Sequence, residues 1–162
     1  MRYQTRRAVM SGIVGTAALT LILAWGPSIG APPLNLPLWD GTFFTLNLGL
    51  AVAVGYVLHF LIGIGLALWY QRWWRDRLQG EAWVRGALFG LAVWGALMLV
   101  GLPLFDWLDP LVENGLMAAP GLFALGLGAA APVILLAAHL VYGALVGAIT
   151  GVDAVEPVRR RA

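Results

Sequence analysis

The 162-residue chain contains no cysteine and no lysine, only two histidines, and just 11% charged residues against 60% hydrophobic ones. A soluble domain averages about 25% charged and about 45–50% apolar residues, so a water-soluble fold is excluded at the level of composition. Without cysteine there are no disulfides, thiolate metal sites, cysteine nucleophiles or iron–sulfur clusters. With no lysine, all ten basic residues are arginine, and the net charge of +2 is too small to point to nucleic acid as a partner. Motifs are missing as well: the chain carries no GxxxxGK[ST], HExxH or GxSxG, so it offers no ATPase, metalloprotease or serine-hydrolase site. The expectation is a protein that is not an enzyme.

What remains is long apolar sequence. Stretches at about 8–25, 46–70, 86–105 and 132–150 are each long enough, at 1.5 Å per residue, to cross a hydrocarbon core of roughly 30 Å. They predict an all-α, four-transmembrane-helix bundle occupying residues 1–162 as one membrane domain. Arg2, Arg6, Arg7, Arg72, Arg75, Arg77, Arg85, Arg159, Arg160 and Arg161 all fall at the N-terminus, between the second and third spans, or at the C-terminus. The positive-inside rule then places both termini in the cytoplasm and the chain in the inner (cytoplasmic) membrane, with Asp40, Asp106, Asp109 and Glu113 on the outer side. Trp25, Trp39 and Trp107 belong to an outer aromatic belt on this reading, and Trp69, Trp73, Trp74 and Trp83 to an inner one. A cleaved secretory signal is the weaker reading of residues 1–25, because its removal strands three spans and breaks the charge pattern. The outer segments 26–45 and 106–131 are too apolar for free loops and too rich in Gly and Pro for spans. They are expected in the outer interface or folded back against the bundle, where protein or water satisfies their backbone groups.

Small residues recur every fourth position: Ala8, Gly12, Thr16 and Thr20; Ala51, Gly55, His59, Gly63 and Ala67; Gly86 and Gly90; His139, Gly143 and Gly147. Such stripes let helix backbones approach closely. An offset of 80 residues superposes Gly15 on Gly95, Gly41 on Gly121, Phe43 on Phe123, His59 on His139 and Gly63 on Gly143. Read as a duplication, it relates two helix hairpins by a pseudo-two-fold axis along the membrane normal. Chance identity among abundant Leu, Ala and Gly competes with that reading, and the paired histidines are its main support.

The spans hold no Asp, Glu, Lys or Arg away from their ends, which argues against a proton-coupled transporter, a voltage sensor or an intramembrane carboxylate protease. His59 and His139 are the candidate site. His59 lies 13 residues before Arg72 and His139 lies 14 before Asp153, so on parallel helices they reach the same depth. Gly55 and Gly63 flank His59, and Gly143 follows His139, each four residues away and placed to clear space beside an imidazole. Four readings stay open. The imidazoles hydrogen-bond within the bundle and contribute about 1 kcal/mol or less to association; or they ligate a b-type haem through two axial nitrogens; or they contact a quinone or lipid headgroup; or they serve a metal or proton relay. Thr16 and Thr20 are expected to bond their own helix carbonyls, and Asn47, Tyr56 and Tyr142 to line an outer cavity with Phe43 and Phe123.

Taken together, Gly15-Thr16-Ala17 before GPSIGAPPLNLP, the HFLIG block at His59–Gly63 followed by Ala67 and Tyr70, Arg85-Gly86 with Phe89-Gly90, Gly121-Leu122-Phe123 and HLVYG from His139 resemble a family of small four-span prokaryotic membrane proteins of unknown function. The resemblance spans roughly residues 12–151 and implies a four-helix membrane bundle, without an activity. That family's fourth span usually ends in GxxxxY, and here the ending appears without the tyrosine, as Gly147-Ala148-Ile149-Thr150-Gly151. Three functions follow in order: an accessory bundle that binds other membrane subunits or a second copy of itself within the lipid bilayer; an electron-transfer subunit with haem or quinone at His59 and His139; and a channel or carrier for a small neutral solute.

Overall fold

The computed structural model describes residues 3–151, so Asp153 and the arginines at 159–161 lie outside the described residues, as does Arg2. It is all helical: among the described residues there is no β-strand. Four helical runs, Tyr3–Ile29, Leu48–Trp74, Ala82–Leu108 and Ala130–Gly151, have the length and hydropathy to cross a membrane. The shortest has 22 residues, about 33 Å at the α-helical rise, which covers the hydrocarbon core.

Helix α1 (Tyr3–Trp25) ends at Gly26-Pro27, where the chain tightens into the 3₁₀ turn Gly26–Ile29. Gly30 closes the turn with φ 84°, a left-handed conformation, and its N–H bonds back to the Gly26 and Pro27 carbonyls. The short helix α2 (Leu36–Thr42) follows and lies along α3 (Leu48–Trp69). The Asn47 side chain caps α3 by accepting the Leu50 N–H at 3.1 Å. After Trp69 the helix widens into a π turn, Tyr70–Trp74.

Helix α4 (Ala82–Ala96) widens in the same way over Leu97–Gly101 and continues into α5 (Leu102–Leu108). The Leu102 N–H reaches back five residues to the Leu97 carbonyl, and Pro103, which has no N–H, comes next. This local widening lets the run pass a proline that would otherwise break the ladder. A one-turn helix α6 (Pro110–Glu113) and an irregular segment lead to α7 (Ala130–Gly151).

In the bundle α7 packs against both α4 and α1, and α1 packs against α3. The contacts run along the small-residue stripes. A methyl group at Gly86 would collide with the Gly143 carbonyl, one at Gly143 with the Gly86 carbonyl, one at Gly147 with the Ala82 carbonyl, and one at Gly12 with the backbone at Ile64. Backbones this close have no room for a Cβ, so glycine at these positions is a packing requirement rather than a source of flexibility. Arg7 donates to the Ile149 carbonyl, which ties the start of α1 to the end of α7 and puts both at one end of the bundle. Large apolar side chains such as Leu21, Val57, Leu61 and Val133 point outward, as lipid requires.

The bundle is not symmetric. Under the 80-residue offset the α1–α7 contact has α4–α3 as its counterpart, yet α3 and α4 barely touch along their middle. They converge only at the arginine-bearing end, where Phe89 of α4 sits among Trp69, Tyr70 and Trp74 with ring centroids 5.5, 5.2 and 5.6 Å away. The aromatic belts also change in detail: Trp25 and Trp107 are exposed, but Trp39 is buried against Phe105 and Trp74 is half-buried on Phe89.

Gly143→Val forces the α4 and α7 backbones apart, and the expected loss is about 3 kcal/mol, at the upper end of overpacking costs. Gly65→Ala, which adds its methyl to open space, is expected to leave the protein unchanged or slightly more stable. Thermal unfolding in detergent, followed by size-exclusion chromatography, separates the two variants.

Candidate functional site

The outer segment 26–45 places the first chemically active group. Asn35 caps α2 by accepting the Leu38 N–H at 3.0 Å, and Pro37 sits in its first turn, so the helix starts where ordinary start signals put it. Two glycines set its distance from α3. A Cβ on Gly41 would strike the Ala51 carbonyl, and one on Gly55 would strike the Pro37 carbonyl. With α2 pressed against α3, Asp40 faces His59, and the His59 Nδ1–H donates to Asp40 Oδ2 at 3.3 Å. The absence of acidic residues from the spans therefore does not leave the interior without a carboxylate, because a segment outside the spans delivers one to His59.

The other end of α2 is clasped. Thr42 Oγ1 donates to Asp109 Oδ2 at 2.5 Å and also lies 2.8 Å from the Trp39 carbonyl. Asp109 is fully buried, and its other oxygen accepts the Leu111 N–H at 2.8 Å to cap α6. Trp39 and Phe43 both pack on Phe105, at 5.4 and 5.6 Å between centroids. The two outer segments thus close over the same end of the bundle and hold one another. Asp106 plays a local part by accepting the Gly121 N–H at 2.9 Å.

Beneath α2 lies a cavity of about 200 Å³. Thr16 and Leu19 come from α1, Leu36 and Asp40 from α2, His59, Ile62, Gly63 and Leu66 from α3, Val93 and Leu97 from the α4 run, and His139 and Tyr142 from α7. Both histidines line it, so the structure brings the sequence pair together around one space. Their partners differ. His139 Nδ1 donates to the Leu135 carbonyl of its own helix at 2.7 Å, whereas His59 uses a carboxylate from another element. A carbonyl oxygen only accepts, so His139 carries a proton on Nδ1, and the Asp40 oxygen is placed to accept from Nδ1 of His59 in the same way. His59 Nε2 is buried with no hydrogen-bond partner, and so is Thr16 Oγ1. Tyr70, Trp74 and Asp106 also carry buried side-chain atoms without a partner, but His59 and Thr16 are the two of these that line this cavity.

The glycines beside the histidines act differently from expectation. Gly55 admits α2, and Gly143 admits α4, so neither clears space beside an imidazole. Gly63 does line the cavity, and a methyl there would strike the Thr16 hydroxyl. Its carbonyl accepts the Tyr142 hydroxyl at 2.6 Å, a bond that crosses from α7 to α3 and fixes the cavity wall. Thr20 bonds the Thr16 carbonyl at 2.8 Å as expected of a threonine on a helix, but Thr16 itself makes no such bond. The anticipated outer cavity is dispersed: Tyr56 lines a separate space of about 220 Å³ with Thr20, Pro33 and Asn35, Asn47 caps α3, and Phe123 packs on Trp94 at 5.9 Å. Among the described residues no three His, Asp or Glu side chains stand together so as to hold a metal ion.

These features define a small four-span membrane bundle with a polar-pointed internal cavity. The chain belongs to a family of unknown function (DUF6789), whose profile covers residues 3–160. No curated protein and no solved structure matches it.

Thr42→Val leaves the buried Asp109 carboxylate without its hydroxyl donor, and the expected cost is about 2–3 kcal/mol. Asp109→Asn keeps an oxygen for the Leu111 N–H, and its amide N–H can donate to Thr42 Oγ1 while the hydroxyl proton turns to the Trp39 carbonyl, so it is expected to cost less. Chemical denaturation in detergent, with both variants measured at one pH, gives the comparison.

Proposed function

We propose that this protein is a non-enzymatic, multi-pass membrane bundle that takes a small uncharged ligand from the bilayer into the His59–His139 cavity. The observation that carries the reading is the pair of buried, unpartnered polar atoms, His59 Nε2 and Thr16 Oγ1, on residues that line one cavity. A histidine that only packs ordinarily satisfies both of its ring nitrogens, and within the protein His59 pairs Nδ1 alone. The gap between α3 and α4 supports lateral entry, because Ile62, Leu66, Val93 and Leu97 flank it and Ile62 is 50% exposed. The lining is otherwise apolar, and its one carboxylate is engaged by His59, which favours a neutral occupant.

The arginine distribution supports an inner-membrane orientation with both termini in the cytoplasm, so that α2 and the cavity lie toward the outer half of the bilayer. A b-type haem fits less well. The cavity falls below the roughly 300–1,000 Å³ of sites for drug-sized ligands, and no arginine lines it to meet propionates. Binding of other membrane subunits, or of a second copy, is compatible with a ligand-carrying role, but the exposed apolar faces mark no particular partner, since lipid demands them everywhere.

Purification in mild detergent, solvent extraction and mass spectrometry test the reading. The expected result is a neutral amphiphile retained near stoichiometrically by the wild type, reduced at least about tenfold in His59→Leu, and unchanged in Tyr56→Phe, which alters the other cavity. Equal, background-level lipid in all three folded proteins overturns it.

A further inference from the structure

We infer that the connection between α3 and α4 seats the headgroup of an anionic phospholipid, met by Arg72 and Arg77 with the Trp73 ring beside them. The inference is independent of the cavity and rests on how charge and aromatic rings are placed at the opposite end of the bundle. Among the described residues every arginine lies at that end: Arg6 and Arg7 on α1, and Arg72, Arg75, Arg77 and Arg85 on the connection and the helix turns that flank it. Two acids, Asp76 and Glu81, share the end with them. The other end carries Asp40, Asp106, Asp109 and Glu113 and, among the described residues, no arginine.

The arginines divide into two sets. Arg85 Nη1 donates to the Arg75 carbonyl at 2.8 Å and lies 3.4 Å from that of Leu78, which pins the connection to the start of α4. Arg75 Nε pairs with Asp76 at 3.4 Å, and Arg7 bonds the Ile149 carbonyl. Arg72 and Arg77, by contrast, are exposed. The Arg72 guanidinium lies over the Trp73 ring, 4.7 Å from its centroid. A guanidinium resting on a ring keeps its N–H edge for an oxyanion, and the contact reduces the freedom lost when one binds. Arg77 follows the π turn, with its backbone N–H on the Trp74 carbonyl at 3.0 Å, so the two cations stand on either side of that turn's end. Trp73 is about half exposed, like Trp69 one turn before it and Trp83 at the start of α4. Indoles at helix ends belong at the headgroup level of a bilayer. Cation and ring therefore meet the membrane at one depth, where a phospholipid brings its phosphodiester to the arginines and lays its acyl chains along the apolar helices. A small free anion uses the arginines and leaves the exposed indoles without a role.

Phosphatidylglycerol and phosphatidylcholine with the same acyl chains share the phosphodiester and differ in the choline cation that cancels its charge, so they are the probes. The full chain in detergent is titrated with each, and bound lipid is counted by native mass spectrometry. The wild type is expected to hold phosphatidylglycerol about tenfold or more tightly, since each arginine near an anionic surface contributes about fivefold. Arg72→Gln combined with Arg77→Gln is expected to bring the ratio toward unity, whereas Arg6→Gln, an exposed arginine at the same end on α1, leaves it unchanged. Equal binding of the two lipids by the wild type overturns the inference. A preference that survives the double substitution, or that Arg6→Gln lowers as much, belongs to the general charge of this end and overturns the assignment to the connection. Displacement of phosphatidylglycerol by inorganic phosphate, but not by chloride at equal ionic strength, overturns the lipid in favour of a free oxyanion. Because the ratio is measured first on the wild type, the result does not depend on any variant folding.

Discussion

Lipid tails are as apolar as leucine, so helices in a bilayer gain little from hydrophobic burial and must hold together by close packing and hydrogen bonds. Here that constraint is met by backbone contact at glycine. Gly86 and Gly90 of α4 meet Gly143 and Gly147 of α7, and Gly12 of α1 meets the α3 backbone beside Gly63. The same device, through Gly41 and Gly55, brings α2 against α3. Where glycine seams exist the helices lie tight; between α3 and α4, which have none, they stand apart and meet only at the Phe89 ring cluster. The cavity is the space that this uneven distribution of seams leaves open.

The chemistry of that space depends on an element outside the spans. Asp40 is carried to His59 by a seven-residue helix that is itself fixed at both ends, by the Asn35 cap at one and the Thr42–Asp109 clasp at the other. The clasp extends the dependence to the second outer segment, since Asp109 is positioned by α5 and α6. The orientation of one imidazole is thus coupled through three short hydrogen-bonded connections to the far loop. This arrangement resembles the outer support of a metal-bound histidine, in which a carboxylate sets the tautomer.

The four spans, the small-residue stripes and the shared depth of the two histidines were legible in the sequence because each follows from a single physical rule: apolar length, four-residue spacing, and counting along parallel helices. Asp40 was not, since positive-inside reasoning sorts acidic residues by segment and assigns the whole of 26–45 to the outer side. A finer signal was present in Asn35 followed by Pro37, an ordinary helix start, with Trp39 and Asp40 on the turn that follows. The roles of Gly55 and Gly143 were hidden for a different reason: spacing along one helix shows that a residue is small but not which backbone approaches it. Likewise, the 80-residue offset aligns the histidines correctly yet cannot report that one bonds a carboxylate and the other its own helix.

The central claim is that the cavity lined by His59 and His139 holds a small neutral ligand taken from the bilayer. Nitrogen-15 spectroscopy of histidine-labelled protein in detergent, before and after extraction of co-purified lipid, measures this directly, and with only two histidines in the chain a single His139→Leu sample assigns the signals. The account predicts that the ring signals of His59 move when the lipid is removed. Ring signals that are identical before and after complete delipidation would contradict it.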